Sequence, residues 1–132
     1  MRLLFPLLLV LFSVPAYASG AVIINEIAWM GTSVAPTNEW VELYTDETTD
    51  LTGWTIGTED GKMNVSLSAS ISNNGYYLIE RTDDDSVPGV PADLFASFGS
   101  GLSNGGDSNE KLLLKNASGT VVDSIGTIDG VW

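Results

Sequence analysis

Beyond residue 20 the apolar positions come in short runs, broken by clusters of Gly, Asn, Asp, Ser and Thr, and no long helical pattern appears. This is the pattern of short strands joined by turns. The plainest strand is 111–115, where Leu112 and Leu114 face one way and Lys111 and Lys115 the other. Asn116-Ala117-Ser118-Gly119 closes it into a hairpin with 120–126. Earlier strands are predicted at 22–29, 39–45, 51–57 and 76–81, with a weaker one at 62–67. A loop at 32–38 carries Pro36, 46–50 is an acidic turn, and Glu59-Asp60-Gly61 and Ser72-Asn73-Asn74-Gly75 are turn sequences. Residues 82–109 read as one long irregular stretch with a short strand or turn at 94–98. Such stretches are uncommon in compact domains and often functional.

About seven strands in this length predict an all-β, immunoglobulin-like β-sandwich. The chain has no Cys, so the core cannot use the disulfide common in such sandwiches. Trp40 and Trp54 are the candidates for its central packing residues.

The first residues follow a different pattern. Arg2 precedes an apolar stretch at 3–14, and Ala16-Tyr17-Ala18 has the small-x-small form of a cleavage site. This predicts a signal peptide at 1–18, cut after Ala18, with one domain at 19–132. A spanning helix needs roughly 20 apolar residues; this run is shorter and holds Pro6. The mature chain is thus expected to be secreted or at the cell surface, with no transmembrane segment. Its 114 residues suffice for a core without staples.

Cleavage removes Arg2 and leaves four bases against 17 acids, a charge of −13. Nucleic-acid binding rests on neutralising phosphates with Lys and Arg, so that class of partner is disfavoured, as are anionic membranes. Divalent cations are admitted.

Three segments carry a family resemblance. They are Val22-Ile23-Ile24-Asn25-Glu26-Ile27; Asn38-Glu39-Trp40-Val41-Glu42-Leu43-Tyr44 with Asp50-Leu51-Thr52-Gly53-Trp54; and Leu102-Ser103-Asn104-Gly105-Gly106-Asp107 with Leu112-Leu113-Leu114 and Gly119-Thr120-Val121-Val122-Asp123. In order and spacing, over about 22–125, they resemble the lamin tail domain family in its bacterial secreted form. The resemblance implies an immunoglobulin-like sandwich used as a non-catalytic module, sometimes beside nuclease or phosphatase domains. Asn25, Glu26, Glu39, Trp40, Glu42, Gly53 and Trp54 are its motif residues here. The acidity departs from a chromatin-binding role. Similar chains continue past the point where Val131-Trp132 stands, so a C-terminal truncation is expected.

Asn25, Glu26, Glu39 and Glu42 are polar residues within apolar strands. They suit a shared acid or metal site, but the favoured reading is that they satisfy backbone groups at loop ends and fix the sandwich. Asp83, Asp84, Asp85 and Asp107 are the candidate calcium ligands, by oxygen type alone. Asp46, Glu47 and Asp50 form a weaker cluster. No other cofactor is expected. Trp29, Trp40, Trp54, Tyr76 and Tyr77 would make a sugar-stacking face if several were exposed; the favoured reading buries both Trp40 and Trp54 and splits the adjacent tyrosines across the strand. With no His or Cys, the familiar triads and thiol chemistry are absent. The expectation is a non-enzymatic, secreted or cell-surface binding or adhesion module whose partner is a protein or glycan. The alternatives are a carbohydrate-binding module and an accessory domain of a larger secreted nuclease or phosphatase.

Overall fold

A computed structural model describes residues 20–102 and 111–126 of the chain. Ten strands and no helix occur among them: β1 (Val22–Ala28), β2 (Trp40–Thr45), β3 (Thr49–Asp50), β4 (Thr55–Thr58), β5 (Asn64–Ser66), β6 (Ser70–Ile71), β7 (Gly75–Arg81), β8 (Leu94–Ala96), β9 (Leu112–Lys115) and β10 (Val121–Ile125). The predicted strands are all present. The three additional ones, β3, β6 and β8, are two or three residues long, and β8 falls where a short strand or turn was expected.

Two four-stranded sheets pack as a sandwich. The first runs β1-β2-β7-β8 and the second β10-β9-β4-β5, while β3 and β6 form a separate ribbon. Every pair is antiparallel except β7 with β8. Alternation decides which side chains enter. In β2, Val41, Leu43 and Thr45 are buried while Trp40, Glu42 and Tyr44 lie on the other face. Ile56, Val65, Leu112 and Leu114 do the same from the second sheet. Val22, Ile24, Tyr77, Ile79 and Phe98 join them in one continuous core. Each such side chain contributes roughly 1.5–3 kcal/mol on burial.

This parity corrects the expectation for Trp40. With Val41 and Leu43 pointing inward, Trp40 must point outward, and it is half-buried on the outer face. Trp54 meets the expectation in part: it packs on the core from its edge, as does Trp29. The adjacent tyrosines divide as expected, with Tyr77 inside and Tyr76 exposed. Strand β4 starts later than predicted because Leu51 to Trp54 is a turn, closed by the Trp54 amide donating to the Leu51 carbonyl at 2.9 Å. At that turn a side chain on Gly53 would meet the Ala117 methyl group at 3.3 Å.

β7 breaks the alternation: Leu78 and Glu80 have outward parity yet are buried. Residues 82–93, expected to be structureless, return against them. The Glu80 carboxylate accepts the amides of Ser86 (2.8 Å) and Val87 (2.9 Å). Asp93 accepts the Leu78 amide at 2.8 Å, and its own amide donates to the Leu78 carbonyl at 2.9 Å. The loop is therefore ordered by carboxylates that satisfy its backbone donors.

Candidate functional site

Of the motif residues, Asn25, Glu26 and Glu42 come together across β1 and β2, while Glu39 pairs with Arg81 and Gly53 lies against Ala117. Asn25 is the extra residue of a β-bulge between Ile24 and Glu26 in β1. Its amide nitrogen donates to Glu42 Oε1 at 2.7 Å, linking the first two motif blocks across β1 and β2. Glu26, opposite Glu42, is exposed. Glu39 shares the inward parity of Val41 and is buried at the end of the sandwich. Its Oε2 lies 2.9 Å from Arg81 Nη1 and accepts the Leu102 amide at 3.1 Å. The Arg81 amide donates to the Glu39 carbonyl at 2.9 Å, so the ion pair extends the β2–β7 ladder by one residue. Gly101 seats against the pair: a β-carbon there would stand 2.5 Å from Arg81 Nη1. This is the arrangement by which a buried carboxylate is tolerated, with a partner charge and a backbone donor. It favours the structural reading of Glu39.

The acidic loop gives a different result. Asp83, Asp84 and Asp85 are exposed, and Asp84 Oδ1 accepts the Ala92 amide at 2.7 Å. A depression of about 170 Å³ beside it is lined by Asp84, Gly89, Val90 and Pro91, a single carboxylate. Asp107 and the Asn104-Gly105-Gly106 segment lie outside the described residues. Among the described residues no three carboxylates are grouped to hold a metal ion. In the weaker cluster, Asp46 accepts the Gly20 amide at 2.9 Å. Asp50 accepts the Thr52 amide at 2.9 Å, and hydrogen bonding from Thr52 holds its pKa below the usual value.

The outer faces of the two sheets carry the remaining chemistry. On the second sheet a groove of about 270 Å³ runs between Thr55, Gly57, Asn64, Leu113 and Lys115, with Glu59 beside it. On the first sheet, Ile23, Tyr44 and Tyr76 stand in one cross-strand row, Ile23 opposite Tyr44 and Tyr44 opposite Tyr76. The tyrosine rings are 5.1 Å apart between centroids and tilted by 48°. Tyr76 keeps 57% of its surface exposed and Ile23 keeps 40%. The Tyr44 hydroxyl donates to Asn74 Oδ1 at 3.2 Å, while Asn74 Nδ2 donates to Asn73 Oδ1 at 2.9 Å. The Asn25–Glu42 pair lies one step further along the same face.

The sequence does not mark Ile23, Tyr44 or Asn74 as ligand-binding residues. The signal for Tyr44 is its place two residues after Glu42 on the polar parity of β2. Asn74 carries no local signal, because its role depends on the β6–β7 turn meeting β2.

No curated protein matches the chain in a comparison of whole sequences. A family model described as Lamin Tail Domain matches residues 15–129. The matched domain is a non-catalytic, immunoglobulin-like module. The two-sheet sandwich and the Asn25–Glu42 bond between the first two motif blocks agree with that match, and the chain belongs to the Lamin Tail Domain family.

Proposed function

We propose that this chain is a non-catalytic binding module that acts outside the cell, exported by residues 1–18, and engages a partner at a cell surface through the outer face of its first sheet. The observation that carries this reading is the cross-strand row of Ile23, Tyr44 and Tyr76, with Ile23 and Tyr76 exposed and Tyr44 half-buried between them. Two tyrosines and an isoleucine set across three paired strands present large contact area at low ordering cost. The motif carboxylate Glu39 is engaged in hydrogen bonds that hold the domain together, and Glu42 is paired with Asn25 on the exposed face. The high negative charge favours neutral or cationic partners and opposes nucleic acid.

The test is binding of the labelled exported chain to intact cells and isolated envelope of the organism that makes it. Saturable binding that Tyr76→Ala reduces is expected. Turnover of glycan, phosphodiester or peptide substrates, abolished by one carboxylate substitution, would overturn the non-catalytic reading.

A further inference from the structure

We propose that Tyr76 and Tyr44, with Asn25, Glu42 and Asn74 around them, form a carbohydrate-binding site for a neutral glycan. This rests on the surface-binding reading above and names the ligand class.

Size is the first argument. Neighbouring strands lie about 4.8 Å apart, so a row across three of them spans roughly 10 Å, the dimension of one or two sugar rings. A stable protein interface takes about 800 Å² per partner, and a row of three side chains falls short of that. Ring presentation is the second argument. The C–H groups on one face of a pyranose carry slight positive charge and pack on the negative face of an aromatic ring. The 48° tilt keeps Tyr44 and Tyr76 from stacking flat on each other, and Tyr76 keeps 57% of its surface exposed.

The polar surroundings are the third. Sugar hydroxyls both donate and accept, and carboxamides do likewise. Asn74 is oriented through both ends of its amide, by Tyr44 and Asn73. Asn25 is fixed by the bulge and by Glu42. Glu42 sits diagonally from Tyr76, roughly 7–8 Å away by sheet geometry. Few rigid polar groups around an apolar contact is the general form of a small-ligand site. β2, paired on both sides, holds the row still. A basic peptide, drawn by the acidity and by cation–π attraction, is the competing occupant. Glu42 and Glu26 on the same face would suit that peptide; the amides of Asn25 and Asn74, which both donate and accept, favour the sugar.

The test is isothermal titration of the whole exported chain with cellohexaose, chitohexaose and mannohexaose, and with a lysine-rich decapeptide. Saturable binding of at least one oligosaccharide is expected. Tyr76→Ala should weaken it ten-fold or more without changing the melting temperature, Tyr76→Phe should retain it, and Asn25→Ala should weaken it several-fold. No oligosaccharide binding, binding unchanged in Tyr76→Ala, or binding of the peptide alone overturns the assignment. Envelope binding that persists in those cases leaves the surface-module reading standing; its absence removes that reading as well.

Discussion

Asp123 Oδ2 accepts the backbone amide of Ile24 at 2.7 Å, across the gap between the two sheets. Each residue sits beside a register shift in an edge strand: Ile24 before the bulge in β1, Asp123 after the one in β10. β1 and β10 are edge strands, and the carboxylate takes up an amide that the β1 ladder leaves over. Asp123→Ala should lower the unfolding free energy by about 1–3 kcal/mol, the usual cost of orphaning such a donor. Asp123→Asn keeps an acceptor and should cost less. Urea denaturation of the three proteins checks both the size and the order.

The Glu39–Arg81 pair predicts a coupling. The Glu39 side chain is 4% exposed and that of Arg81 17%. Removing one partner leaves a charge with little water around it, at a cost of about 3–5 kcal/mol. Arg81→Met and Glu39→Gln should each be severe. The double variant should be less destabilised than the two single losses added, because neither charge remains. A thermodynamic cycle by chemical denaturation measures this, and strict additivity would show that the pair acts independently.

These two contacts mark what is legible in a chain of this kind. The strand parities of β2 and β9 follow from alternation alone, and the β9–β10 hairpin from its turn residues. Residue type misleads where parity disagrees with it: Trp40 is large and apolar, yet Val41 and Leu43 claim the interior and leave it outside. The same rule read forward places Tyr44 outside, where half of the candidate site lies. Loop order is not local. Glu80, Asp84 and Asp93 satisfy backbone donors six, eight and 15 residues away along the chain. Nothing in a run such as Asp83-Asp84-Asp85 tells which carboxylate a distant amide will reach.

Backbone approach predicts an unequal response to the same substitution. Gly61 and Gly99 both have positive φ, +76° and +64°. A β-carbon at Gly61 meets nothing within 4 Å, whereas one at Gly99 collides with the Lys62 carbonyl oxygen. Gly61→Ala should therefore cost only the left-handed conformation, about 1–2 kcal/mol. Gly99→Ala adds a clash that the backbone must move to relieve, bringing the loss to about 3 kcal/mol or more. Thermal unfolding of the two variants separates the effects; equal losses would show that the backbone at Gly99 yields without resistance.

Asp60 makes stability depend on pH. The hydrogen bond from Lys62 comes first, at 2.7 Å between Nζ and Oδ2, followed by the Thr58 hydroxyl at 2.7 Å; together with the Lys62 amide they hold its pKa down at about 2, against a usual 3.8. A carboxylate with a lower pKa folded than unfolded binds fewer protons in the native state. Its contribution is therefore complete above about pH 4 and disappears as pH falls through the window down to about 2. Lys62 is 57% exposed, so solvent and salt weaken the ion pair and the effect is small. The bonds it makes still fix a turn, because Thr58 Oγ1 also accepts the Met63 amide at 3.0 Å. Asp60→Asn should be the less stable protein at pH 6, and its deficit should shrink steadily below pH 4 until the two unfolding curves nearly coincide at pH 2. Denaturant midpoints across that range measure the deficit directly, and a deficit independent of pH would mean that the charge of Asp60 does not stabilise the turn.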